Sequence, residues 1–113
     1  MRSALITLIE ALKNNSVPFA TVIEFIETYY DHQPIAFKNG DTSNEANQNQ
    51  GSAKVFAFAQ INELTEADTL YLFAEHYQAV LLSPNGTDHQ NIRQFMANGW
   101  AGISFDGIAL TSK

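Results

Sequence analysis

Apolar residues recur at helical spacing along this chain, but never for long before a turn signal interrupts them. That alternation of short apolar stripes and stops most constrains the fold. Leu5, Leu8, Ile9 and Leu12 form the first stripe, closed by Lys13, Asn14 and Asn15. Phe19, Val22, Ile23, Ile26 and Tyr30 form the second, with Glu24, Glu27 and Asp31 mostly opposite. Ser16 stands where an N-cap belongs, and Pro18 falls in the first turn, where its missing N–H is harmless. Two amphipathic helices this close together predict an αα-hairpin. Leu70, Phe73, Ala74, Tyr77, Val80 and Leu81 mark a long helix. Thr65-Glu66-Ala67-Asp68 opens it as a capping box with Asp in place of Glu or Gln, and Ser83-Pro84-Asn85-Gly86 stops it. A further helix, capped by Thr87 or Asp88, carries Ile92, Phe95 and Met96 on its apolar face and stops at Asn98-Gly99.

Residues 53–61 (AKVFAFAQI) fit two periods. Alternation would place Phe56 and Phe58 on one face of a strand; three alanines and a Ser52 cap favour a buried helix, which is the preferred reading. Ile35 to Lys38 follows Pro34 and ends at Asn39-Gly40, as a short strand closed by a turn would. Ile103 to Leu110 holds Asp106-Gly107 between two apolar-alternating runs, the pattern of a C-terminal β-hairpin with a type I′ turn. An isolated hairpin is marginal in water, so the Ile35 strand is its expected sheet partner. Between Asn39 and Ser52 no large apolar residue occurs, which predicts a solvated, mobile loop. The expected architecture is α+β: several amphipathic helices packed on a small antiparallel sheet that includes the C-terminal hairpin, in one domain spanning 1–113.

Composition narrows the function classes. A chain of 113 residues with 45% hydrophobic content, eight Phe, four Tyr and one Trp can build a core without staples. Twelve acidic against six basic residues give a net charge of −6, and Arg2, Lys13, Lys38, Lys54, Arg93 and Lys113 are scattered. With no basic stripe to neutralise phosphates, nucleic acid and anionic lipid are not expected partners. There is no cysteine, which excludes disulfides, thiolate nucleophiles and Cys-based zinc sites. The apolar N-terminal run is broken by Glu10 and lacks a cleavage pattern, and no stretch is long enough to span a bilayer. A soluble protein, cytoplasmic in the producing cell, is the expectation.

The densest polar cluster is Asp88-His-Gln-Asn-Ile-Arg93. Asp88 suits a helix start, while His89 and Arg93 are spaced to share a helix face. His89 could serve as acid or base, Asn91 could orient, and Arg93 could hold an anion. Capping and local hydrogen bonds account equally well for such a cluster. Gly51-Ser52-Ala53-Lys54 lacks the spacing of a phosphate loop, so Ser52 serves as a cap before it serves as a nucleophile activated by Lys54. His32, His76 and His89 are far apart in sequence, and Glu75-His76 face different ways on a helix, so neither a metal nor any other cofactor is expected. Phe56, Phe58, Phe73, Tyr77, Phe95 and Phe105 belong to the core. Trp100 is placed either to line a cleft or to cover the sheet, and Tyr29-Tyr30 is expected to be partly exposed. The candidate ligand-binding residues are therefore Asn39, Ser52, Lys54, Asp88, His89, Asn91, Arg93 and Trp100. The partner is a small anionic ligand or a protein of unspecified kind; oligomeric state and catalytic residues are not legible.

One ordered set of motifs carries a resemblance. Ala36-Phe37-Lys38-Asn39-Gly40 is followed by residues 49–59 (NQGSAKVFAFA), then Thr69-Leu70 and Leu72-Phe73, then Asp88 to Arg93, Gly99-Trp100 and Gly102-Ile103. In this order they resemble the HopJ type III effector family, over nearly the whole chain. The resemblance implies an α+β domain and a bacterial protein delivered by a type III secretion system. It implies no reaction, cofactor or catalytic residue.

Overall fold

In a computed structural model that describes residues 1–113, the first apolar stripe becomes helix α1 (Arg2–Lys13), burying Leu5, Leu8, Ile9 and Leu12. The second becomes α2 (Phe19–Tyr29), burying Val22 and Ile26. Pro18, not Ser16, is its N-cap, in extended backbone. The Phe19 N–H donates instead to Glu75 Oε1 at 2.8 Å, so a distant carboxylate satisfies an amide of the α2 end. The expected pairing of α1 with α2 is replaced: α2 packs chiefly on α3 (Gln50–Ile61), and α1 on α4 (Glu66–Tyr71). The reason lies in α3. Ala53, Val55, Phe56, Ala57, Phe58 and Ala59 are all buried, and a helix apolar on every side must be surrounded.

Residues 53–61 are thus helical, as preferred. Their helix starts earlier than expected, with Asn49 as a left-handed N-cap (φ 51°, ψ 39°) and Ser52 inside the first turn. Thr65 caps α4 as expected, its Oγ1 accepting from the Asp68 N–H at 3.1 Å. The long helix expected beyond it is two helices, α4 and α5 (Glu75–Leu82). Tight bonds from the N–H groups of Leu72, Phe73 and Ala74 to the carbonyls three residues back close α4, and Ala74 then takes φ 51°, ψ −124°. Leu72, Phe73 and Ala74 are consecutive and all buried. A continuous surface helix has one inward stripe and cannot bury three neighbours in a row, so the chain breaks.

Helix α6 (Gln90–Asn98) buries Ile92 and Phe95 but leaves Met96 about half exposed. Neither Thr87 nor Asp88 caps it; His89 does, with φ 51° and ψ 50° and no side-chain bond to the helix. Gly99 (φ 59°) ends α6 where a Cβ would strike the Glu66 carboxylate, and a 3₁₀ turn over Gly99–Gly102 follows.

Five short strands make two antiparallel sheets. In one, β2 (Phe37–Asn39) lies between β3 (Thr42–Asn44) and β4 (Ile103–Phe105). Gly40, at φ 57°, turns the chain from β2 into β3. In the other, β1 (Tyr30–His32) pairs with β5 (Leu110–Ser112). The α+β class holds, and two short strands flank Asp106-Gly107 as expected. Those strands diverge, however: Phe105 faces Phe37, whereas Leu110 faces His32. Neither Asp106 nor Gly107 has the positive φ of a type I′ turn. Each strand instead joins a partner already fixed to the core, with Phe37 and Phe105 stacked at 5.2 Å.

Phe56 is the hub of that core, with ring centroids 5.0 Å from Phe95, 5.3 Å from Phe73, 6.2 Å from Phe37 and 6.3 Å from Trp100. Tyr30 is buried, contrary to expectation, and its hydroxyl accepts from Asn62 Nδ2 at 3.2 Å. The segment 39–52 is no solvated loop, since it holds β3, the start of α3 and two buried asparagines. No helix is long and apolar enough to cross a membrane.

Candidate functional site

Four asparagines tie the sheet to the starts of two helices. Asn91, in the first turn of α6, accepts at Oδ1 from Asn39 Nδ2 and Asn44 Nδ2, both at 3.1 Å, and donates to Asn44 Oδ1 at 3.0 Å. Asn44 Oδ1 also accepts from Asn49 Nδ2 at 2.7 Å. Asn39 Nδ2 makes a second bond to the Asn91 carbonyl at 2.7 Å. These amides explain why polar side chains on β2 and β3 tolerate burial: nearly every donor and acceptor is met. Asn39 Oδ1 is the exception, a buried oxygen with no partner.

Above this network the starts of α3 and α6 open on one cleft of about 480 Å³. Asn49, Gly51 and Ser52 come from α3, Gln90, Asn91 and Ile92 from α6, and Thr42 from β3. The opposite wall is aromatic: Phe19 stacks on Phe73 at 6.0 Å, and His76 meets the Phe19 ring edge-on at 4.9 Å. His89 completes the rim, its ring centroid 5.1 Å from that of His76. The N–H groups of Gly51, Ser52, Gln90 and Asn91 donate no hydrogen bond within the protein. Neither N-cap side chain bonds to its own helix, and neither first turn carries an acidic residue. Two positive helix ends therefore face the same space uncompensated.

The predicted residues fall into three groups. Ser52, His89 and Asn91 line the cleft. Asn39 lies buried beneath it as part of the amide network. Lys54, Trp100, Asp88 and Arg93 lie outside its lining. Lys54 Nζ pairs with Glu27 Oε2 at 2.8 Å, a hydrogen bond and charge that hold the Glu27 carboxyl below its usual range. Trp100 packs on Phe95 and donates from Nε1 to the Leu64 carbonyl at 3.3 Å. His89 stands just outside α6 as its left-handed N-cap, and its Nε2 lies 3.8 Å from the Asp88 carboxylate that Arg93 also engages.

Arg93 is fully engaged. Its Nε donates to the Asp88 carbonyl at 2.6 Å, Nη2 to Asp88 Oδ1 at 2.6 Å, and Nη1 to the carbonyls of Ser83 and Pro84 at 2.8 and 3.3 Å. It clamps the 83–88 loop and is not free to hold an anion. The bond from Arg93 holds the Asp88 carboxyl below its usual range. Burial pushes the Glu75 carboxyl up, but bonds from its own N–H and that of Phe19, with His76 nearby, outweigh this and hold it down.

Sequence reasoning missed His76, Phe19 and Phe73 as site residues. Phe19 and Phe73 carry ordinary core signals, and His76 meets His89 only because α5 packs on α6. Asn44 and Asn49 carry a signal, the asparagine-rich run 39–49, but such a run also fits a solvated loop.

A family model described as "HopJ type III effector protein" matches residues 5–110. A solved structure titled "Crystal structure of unknown function protein VPA0580" is similar, with 46% identity over 95% of this chain and 92% of that one, and a TM-score of 0.87. No curated protein matches the chain.

Proposed function

The chain belongs to the HopJ type III effector protein family, and we propose that it works as a binding protein for a small anionic molecule held in the cleft between α3 and α6. The observation that carries this reading is the convergence of four free N–H groups, from Gly51, Ser52, Gln90 and Asn91, on one cavity. Helix starts present such donors to anions with the favourable end of the peptide dipole. Two imidazoles at the rim add donors, and the Phe19–Phe73 wall offers a surface for an apolar portion of the ligand. The site differs from the one expected around Arg93: backbone amides take the place of the guanidinium.

Titration with phosphate, sulfate and small carboxylates tests this by NMR. Saturable shifts should centre on the amides of residues 51, 52, 90 and 91. Gln90→Glu places a carboxylate in the first turn of α6, where it suits the helix but competes with the ligand, and should weaken binding at least about tenfold. If no anion moves those four amides saturably, the reading fails.

A second reading, delivery through a type III secretion system, is supported by the family description alone. Because α1 buries four of its side chains, passage through a narrow channel requires α1 to unfold first. A reporter fusion retained inside a secretion-competent strain would rule it out.

A further inference from the structure

We propose that His76 and His89 together hold one divalent cation of the imidazole-seeking kind, such as zinc or nickel, at the rim of the cleft, with its remaining positions open to water and an anionic ligand. The inference concerns the same cleft as the anion reading but stands on a separate observation, the spacing of the two rings. Two imidazoles bound to one tetrahedral ion at about 2.0 Å have nitrogens roughly 3.3 Å apart and ring centroids about 5 Å apart. The centroids of His76 and His89 are 5.1 Å apart. Their planes are inclined at 38°, which chelation permits because each ring can spin about its metal–nitrogen axis.

Neither ring is committed elsewhere. The His76 ring makes no hydrogen bond, and His89 Nε2 stands 3.8 Å from Asp88 Oδ2, beyond hydrogen-bond reach. Imidazole nitrogen selects zinc, nickel, cobalt or copper over magnesium and calcium. No third His, Asp or Glu is grouped with them, so an ion here would take only two ligands from the protein. The helix ends oppose a bare cation but favour the anion that would complete its coordination, so metal and anion should each strengthen binding of the other. With two protein ligands, the zinc dissociation constant should lie on the order of 10 µM, far weaker than a closed structural site.

The alternative is that the rings simply extend the Phe73–Phe19–His76 stack. His76→Phe keeps that packing and removes the nitrogens, while His89→Asn keeps a residue that tolerates the left-handed backbone. The test is calorimetric titration of the full chain with zinc, with NMR following both imidazoles. We expect one equivalent bound, magnesium inert, at least tenfold loss in each variant, and no change in His32→Gln. Absence of saturable zinc binding, or binding undiminished in both variants, overturns the proposal. Phosphate titrated with a chelator present separates the two readings: binding there, with no zinc site, sinks the metal and leaves the anion cleft standing, whereas loss of both sinks both.

Discussion

Arg93 illustrates how a residue placed for chemistry can be absorbed by structure. Its planar fork makes four bonds to one loop, which Lys cannot reproduce from a single ammonium. Arg93→Ala should lower stability by about 2 kcal/mol, and Arg93→Lys should recover less than half of that, read from urea midpoints. His32 makes the complementary point for pH. Its ring is half buried and bonded to Gln50 Oε1 at 3.2 Å, and burial, helped by the nearby Lys54 charge, pushes its pKa below the usual histidine value. Between that depressed value and the ordinary one of about 6.5, the unfolded chain binds more protons than the folded one. Stability from this group is therefore full above about pH 6.5 and declines on acidification. Urea midpoints at pH 7 and 5 should differ in the wild type and converge in His32→Gln. The depressed carboxyls of Glu27, Glu75 and Asp88 act lower: their contribution is present above the ordinary carboxylate range, near 4, and is lost as pH falls through their folded values.

At the scale of elements, the break between α4 and α5 and the amide network decide where the cleft lies. Ala74 adopts a conformation suited to glycine, so Ala74→Val should cost more than about 2 kcal/mol, while Ala74→Gly should be tolerated or mildly stabilising in thermal melts. Asn91→Asp should be worse than Asn91→Ala. The carboxylate keeps the two acceptor contacts but turns an oxygen toward Asn44 Oδ1, burying repulsion where Ala leaves only unmet partners. We expect about 2–3 kcal/mol for Ala and a larger loss for Asp. Apolar spacing located α1, α2 and α6 because each buries a stripe, whereas α3, buried on nearly every side, showed itself by its alanines. It could not reveal the break, because Leu70, Phe73 and Tyr77 follow helical spacing whether or not the chain is interrupted. Nor could it reveal that Asn49 and His89, and not Ser52 or Asp88, begin their helices, since left-handed caps depend on tertiary bonds such as that between Asn49 and Asn44.

For the molecule as a whole, the α+β class was legible, and so was the aromatic core around Phe56. Part of the candidate site was legible too: Ser52, His89 and Asn91, three of the eight residues singled out, line the cleft. What local pattern could not supply was partnership at long range, such as His76 with His89 or Glu75 with Phe19. The pairing of β1 with β5 is of the same kind, joining Tyr30 to Ser112 across most of the chain. Leu110 is buried in that seam, and Leu110→Ala should destabilise by about 3 kcal/mol, comparable with a central core truncation despite its place near the chain end. During synthesis, then, β1 has no mate until β5 emerges. A ribosome carrying this polypeptide displays helices waiting for a clasp, and a force-sensing arrest assay should register closure only after residue 112 has cleared the exit.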